Sequence, residues 1–277
     1  MKTIGVDIGG TKTAIGIVND NNGKIYEKII FPSKSYNYNK KNNLNFIIKN
    51  IIDLSKKSKI NHIGIGVPEL INKKGIIKGS YNFNWNNKNL VNYFPKNYKV
   101  NVDSDVRCHL RAEKYFGVAK NYKNFAYINI GTGLSYAHFK DKKIYSGAKG
   151  YAIHFASSKI SLYDWKKNKK ISLIPEEYYS GKDLIKIHDI KNKNKKNKIL
   201  HNVAESLASL IGLLINTIDP DKIVLGGGVI INNIYFKKIL IKEIRNFILA
   251  DEVKKINIKT SKLKNNTGLL GAGLLFK

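Results

Sequence analysis

Three glycine turns in this sequence have the composition to meet a phosphate. Asp7-Ile8-Gly9-Gly10-Thr11-Lys12 lies between two short apolar runs, Gly131-Thr132-Gly133 lies between two more, and Gly226-Gly227-Gly228 follows Ile223-Val224-Leu225. Without a Cβ, glycine lets backbone N–H groups approach phosphate oxygens with no side chain in the way. For a single glycine pair an ordinary turn is the better reading. Two such hairpins at matching places in two half-chains, plus a triple glycine after a strand, point to nucleotide binding through Gly9, Gly10, Thr11, Lys12, Gly131, Thr132, Gly133, Gly226, Gly227 and Gly228. No GxxxxGK followed by Ser or Thr is present, and no GxGxxG opens a helix after the first strand, so P-loop and Rossmann architectures fit poorly.

The elements that position these turns follow from hydrophobic period. Thr3 to Asp7 and Thr13 to Val18 read as strands, and the turn signal Asn19-Asp20-Asn21-Asn22-Gly23 leads into a third antiparallel strand from Lys24 to Phe31. Leu44, Ile47, Ile48, Ile51, Ile52 and Leu54 recur at helical spacing, and Ile63 to Val67 is a buried strand closed by Pro68. The order then returns. Phe125 to Ile130 and Ser135 to Phe139 flank the second glycine turn, with Lys143 to Tyr145 as a third strand. Val203, Leu207, Leu210, Ile211, Leu214, Ile215 and Ile218 make a wide helical stripe that Asp219-Pro220 ends before Ile223. Two copies of one strand, turn, strand, strand, helix, strand unit predict an α/β chain of two domains with an interdomain cleft.

Composition excludes several other classes. The 277 residues, 43% hydrophobic, suffice for one large or two medium domains. No run approaches the 18 or so consecutive apolar residues of a bilayer span, and the opening residues lack a signal peptide's apolar core, so a cytoplasmic protein without a membrane partner is expected. Cys108, the single cysteine, allows no internal disulfide and reads as a small buried residue. The net charge of +29 invites a nucleic-acid reading, yet of 49 basic residues only Arg107, Arg111 and Arg245 are arginines, the residue that phosphate and guanine recognition favours. The runs Lys166 to Lys170 and Lys191 to Lys198 lack interleaved aromatics and read as solvated loops.

Several segments together resemble a known family. Asp7 to Thr13, Ile63 to Pro68, Ser104-Asp105, Gly131 to Gly133, Asp219-Pro220 with Ile223 to Gly228, and Gly268-Leu269-Leu270-Gly271-Ala272-Gly273 are similar, in this order, to the ROK family of the sugar kinase and actin superfamily. Its members are mostly sugar kinases, such as glucokinases, fructokinases and N-acetylhexosamine kinases, or repressors with an added helix-turn-helix domain. Because the first glycine loop begins seven residues in, no DNA-binding domain is expected before it. The resemblance implies the two-domain actin-like fold, with residues 1–102 and 264–277 as a small domain and 103–263 as a large one, and ATP between them. It also implies ATP-dependent phosphorylation of a sugar hydroxyl.

Residue roles carry over position by position. Asp105 falls on the family's general base and Ser104 where asparagine is usual, with Asp103 as the local competitor for the base. Asp7 resembles the acid that orients hydrated Mg²⁺. Where the family presents a Gly-Glu-x-Gly-His segment, this chain reads Gly150-Tyr151-Ala152-Ile153-His154, so His154 is retained and Tyr151 replaces the glutamate. Tyrosine cannot grip two hydroxyls as a carboxylate does. Glu176, ahead of Tyr178-Tyr179-Ser180-Gly181, and Asn82 complete the expected sugar contacts with Ser104, Asp105, Tyr151 and His154, and Pro68-Glu69 replaces a usual Pro-Gly. The family's zinc site needs three cysteines, so no structural zinc is expected. The partners expected are a small sugar, no specific nucleic acid and, as an open option, a second copy of the chain. Two other readings stand beside this one: a ROK-like binder without turnover, favoured by Ser104 and Tyr151, and a basic nucleic-acid-associated protein, favoured by charge alone.

Overall fold

Alternating apolar residues at the start of the chain form an antiparallel meander of β1 (Lys2–Ile8), β2 (Lys12–Asn19) and β3 (Ile25–Pro32). The structure, a computed structural model, describes residues 1–34 and 43–277. Helix α1 (Asn43–Ser58) buries Leu44, Ile47, Ile48, Ile51 and Leu54, the stripe of an amphipathic helix, and returns the chain so that β4 (His62–Val67) lies parallel to β1. A small pair, β5 (Leu70–Ile71) and β6 (Ile77–Gly79), precedes β7 (Lys99–Ser104), which lies parallel to β4 and runs directly into α2 (Asp105–Tyr115).

The second half repeats the plan with insertions. It begins with β8 (Phe125–Ile130), β9 (Leu134–Lys140) and β10 (Lys143–Tyr145), followed by a hairpin of β11 (Ile160–Asp164) and β12 (Lys169–Leu173). Short helices α3 (Glu176–Tyr179) and α4 (Gly181–His188) lead to the long α5 (Lys193–Ile218) and β13 (Lys222–Gly226). Then come α6 (Gly228–Asn232), α7 (Ile234–Ile244), β14 (Asn257–Thr260) and α8 (Thr267–Gly273). The first sheet has the order β3-β2-β1-β4-β7 and the second β10-β9-β8-β13-β14. In each, the third, second, first, fourth and fifth strands of one repeat lie side by side, which is the expected duplication expressed as topology.

Packing divides the chain into two units, the first made of Met1–Tyr122, Ala137–Ala152 and Ser261–Lys277, the second of Lys123–Tyr136 and Ile153–Thr260. The first unit's core includes Ile4, Val6, Ile15, Ile47, Ile51, Ile63, Ile65 and Trp85. The second unit's core includes Ile128, Ile130, Leu207, Ile211, Ile223, Leu225 and Phe236. This division differs from the expected boundary after residue 102. Helix α2 packs on α8 and so stays with the first unit. The stretch up to Ala152 joins it as well, through the Arg107 Nη1 bond to the Gly150 carbonyl and the Lys73 N–H bond to the Lys149 carbonyl.

Both lysine runs expected as loops are partly regular. Lys169 and Lys170 open β12, and the run from Lys193 forms the first turns of α5, capped by the Asn192 side chain, which accepts from the Lys195 N–H. Exposed lysines are good helix formers, so charge alone does not mark a loop. Helix α5 is long and apolar enough to cross a membrane by length and composition, and its apolar stripe, including Leu200, Leu207, Ile211 and Ile215, is buried in the second unit's core. Cys108 is buried, as expected.

Helix α8 approaches its neighbours through glycine. A Cβ at Gly271 would overlap the Cys108 carbonyl of α2, and one at Gly64 would overlap the Ala272 carbonyl. Because the opposing atoms are backbone, they cannot turn aside as a side chain would. Gly271→Ala is therefore expected to lower stability by about 1–3 kcal/mol, read as a lower urea midpoint with an unchanged slope. An unchanged midpoint would show that α8 shifts without cost.

Candidate active site

The first unit gathers the acids expected to carry the chemistry. Asp7 lies near the end of β1, opposite Gly66 of β4, and Asp105 opens α2 where β7 ends. Both are partly exposed, so a ligand can reach them. Room for the Asp7 carboxylate depends on Gly268, where any Cβ would overlap it. Burial pushes Asp7 above the ordinary carboxylate range, against the opposing charges of His109 and Lys28.

Asp105 is lifted to about 6, first by burial and further by the negative charge of Asp7, while His109, the Val106 N–H and the Ser104 hydroxyl pull the other way. The Val106 N–H donates to its Oδ1 at 2.6 Å and the Ser104 hydroxyl at 3.4 Å. Ser104, expected among the sugar contacts, is fully buried, with its hydroxyl turned toward Asp105. His109, one turn along α2 from Asp105, was not legible as part of this group. Its i, i+4 spacing from Asp105 was the available signal.

Asp103, the competitor for the base, is otherwise engaged. Its Oδ1 accepts from the Ser104 N–H at 2.8 Å and from Arg107 Nε at 2.5 Å, and its Oδ2 accepts from Arg111 Nη2 at 3.3 Å. With both oxygens taken up by these donors, Asp103 is committed to the two guanidiniums.

Glu69 has an unforeseen role. Its carboxylate, 2% exposed, accepts from the backbone N–H groups of Tyr81 at 2.7 Å, Asn82 at 2.9 Å and Phe83 at 2.8 Å. Burial nevertheless holds its pKa above the usual value. The bonds hold the segment carrying Asn82, whose Nδ2 donates to the Pro68 carbonyl at 3.0 Å. Tyr151 follows Gly150, which has φ +102° and would bring a Cβ to 2.8 Å from the Ile71 carbonyl, so glycine is required there.

In the second unit the glycine turn, Glu176 and His154 come together. Glu176 Oε1 accepts from the Leu134 N–H at 2.7 Å, and a Cβ on Gly133 would stand 2.6 Å from that same oxygen. The Gly181 N–H at the start of α4 donates to the Gly131 carbonyl at 2.7 Å. His154 Nδ1 lies 2.9 Å from the Ser157 hydroxyl. Shielding of its ring lowers its pKa, against the charge of Glu176 and a bond to the Leu134 backbone.

The glycines divide by purpose. The N–H of Gly9 donates to the Lys12 carbonyl at 3.0 Å and that of Gly131 to the Gly133 carbonyl at 3.1 Å, so the first amide of each turn closes the turn itself. A Cβ would strike the Tyr127 hydroxyl at Gly226 and the Ile130 carbonyl at Gly227, which has φ +92°. At Gly228 it would meet only Asn232 Nδ2, at 3.9 Å. Gly228 is the member of the triple that faces open space. Among the described residues, no group of three or more His, Cys, Asp or Glu side chains is placed to hold a metal ion.

Two sheets of one topology, flanked by helices and carrying a paired Asp7 and Asp105, define an α/β protein with the actin-like fold of the ROK sugar kinases. The chain belongs to the ROK family, whose pattern matches residues 3–156 and 154–277. The ROK family glucokinase from Streptomyces griseus, solved in complex with glucose and AMPPNP, shares the fold with a TM-score of 0.83 at 20% identity, covering 99% of this chain and 98% of that one. The glucokinase of Thermotoga maritima is 31% identical over 138 residues, 48% of this chain and 43% of that protein. The xylose repressor of Bacillus subtilis is 26% identical over 226 residues, 76% of this chain and 59% of the repressor. The matches thus span about half the length of these two curated relatives.

Proposed function

We propose that this protein is an ATP-dependent sugar kinase that transfers the terminal phosphoryl group of ATP to a hydroxyl of a hexose or N-acetylhexosamine. The observation that carries this reading is the contrast between two neighbouring acids. Asp103 is held by Arg107 and Arg111, whereas Asp105 is partly exposed and lifted to about 6. An acid with that pKa is ionised at neutral pH and still basic enough to take a proton from a hydroxyl as its oxygen attacks phosphorus. The bond from hydroxyl oxygen to phosphorus forms as the bond from phosphorus to the ADP oxygen breaks, and the hydroxyl proton passes to Asp105.

The amides that follow Gly9 and Gly131 in their turns, with Gly228, supply backbone dipoles for the nucleotide phosphates. Lys12 adds a positive charge. When bound, Mg²⁺ neutralises charge on the transferring phosphate. Asp7 suits an ion that keeps most of its waters, being one partly exposed carboxylate with no cluster of three or more candidate ligands among the described residues. Asn82, Tyr151, His154 and Glu176 are the residues we assign to the sugar.

The test is a coupled ADP-release assay over hexoses, amino sugars and their N-acetyl forms, with a sugar-free control. ATP binding without phosphorylation of any sugar would sink the kinase reading and favour a non-catalytic binder, the reading that Tyr151 in place of glutamate supports. The pH profile is a separate expectation. Asp105 works only when ionised, so kcat/KM should fall about tenfold per unit below about pH 6 and level off above it. A profile flat down to about pH 5 would detach Asp105 from the rate.

A further inference from the structure

A hollow beside α2 is unused by the phosphoryl-transfer residues. Its volume is about 260 Å³ and its walls include Lys73, Asp103, Arg107, Arg111, Ser146 and Gly150, with neither Asp7 nor Asp105 among them. We propose that it is a second ligand site, one that takes a small oxyanion, the phosphate or carboxylate end of a small metabolite.

The charge distribution leads to this. The sequence has three arginines among 49 basic residues, and two of them meet here, one turn apart on α2. Arg107 is 4% exposed. Asp103 engages both guanidiniums, by Arg107 Nε at 2.5 Å and Arg111 Nη2 at 3.3 Å, but it supplies one negative charge against two. Lys73 adds a third positive charge at the wall. The Gly150 carbonyl accepts from Arg107 Nη1 at 2.9 Å, whereas Arg111 Nη1 is buried with no hydrogen-bond partner. A buried guanidinium donor without an acceptor is unfavourable, and so is a partly buried excess of positive charge. One oxyanion in the hollow answers the excess of charge.

The geometry also sets the ligand's class. Guanidinium groups match carboxylate and phosphate oxygens, and the Ser146 hydroxyl can add a neutral donor. At about 260 Å³ the hollow is smaller than the roughly 300–1,000 Å³ of drug-sized sites, so it takes an oxyanion with a short carbon body and not a nucleotide.

Calorimetry on the full chain tests this, with AMPPNP present to fill the nucleotide turns and chloride at physiological strength to suppress loose binding to lysines. The probes are inorganic phosphate, a hexose 6-phosphate and gluconate. Saturable binding of at least one probe is expected in the wild type. Arg111→Gln should weaken it by about tenfold or more, the worth of a hydrogen bond to a charged group. Lys73→Ala, at an exposed position, should weaken it by a smaller factor and leaves the fold undisturbed if Arg111→Gln does not fold. Variant-sensitive binding of the phosphate probes alone identifies a phosphate site, and of gluconate alone a carboxylate site. The proposal fails if the wild type binds none of the three, or if every folded variant binds as tightly as the wild type.

Discussion

Replacing Asp105 by asparagine is expected to lower kcat by on the order of 10²–10⁴ while ATP binding stays close to its original strength. The amide keeps the size of the carboxylate and an oxygen for the Val106 N–H, which donates at 2.6 Å in the native chain, so α2 should start as before. What is lost is the proton acceptor. The nucleotide turns lie elsewhere in the sequence, at Gly9 to Lys12 and Gly131 to Gly133, and do not rely on this side chain. The pH dependence below about 6 should vanish with the acid that causes it. Turnover near the wild-type rate in Asp105→Asn would mean that the proton goes to another group, and Asp7 or His109, the two charges that act on Asp105, would be examined next.

Glu69→Ala is expected to be the most damaging change outside the acid pair. Three consecutive N–H groups would lose the buried carboxylate to which they donate. We expect a loss of about 2–4 kcal/mol in all, below the additive sum for three bonds to a charged group, because water can reach part of the segment. Tyr81 is 80% exposed, which is where that water enters. The segment also carries Asn82, so KM for the sugar should rise more than kcat falls. Glu69→Gln keeps one acceptor oxygen and should recover part of both losses. A Glu69→Ala protein with native melting behaviour and unchanged KM would show that the segment is held by the stacked rings of Phe83 and Trp85, 4.3 Å apart, and not by the carboxylate.

What the sequence determined by itself was everything that depends on neighbours in the chain. The β1 to β3 meander follows from alternation and from turn residues such as Gly23, and α1 and α5 from apolar stripes. The duplication follows from reading those patterns twice. The family resemblance was legible for the same reason, since its motifs are short and contiguous, and Asp105 was singled out as the candidate base through one of them. Local composition also misled at Lys191 to Lys198, where charge suggested a loop and the segment is the exposed start of a helix. Tertiary structure decided the rest. Glu69 could not be read as the anchor of residues 81 to 83, because its partners lie more than a turn away in sequence and are backbone atoms without a signature. The raised pKa of Asp105 required its burial first, and then Asp7 brought near it by β1, β4 and β7 pairing in one sheet, and the assignment of α2 to the first unit required α8, from the far end of the chain, to pack on it. Arg107 and Arg111 were visible as two rare arginines. Only folding, which brings Gly150 and Lys73 to their side of α2, turns them into a charged hollow.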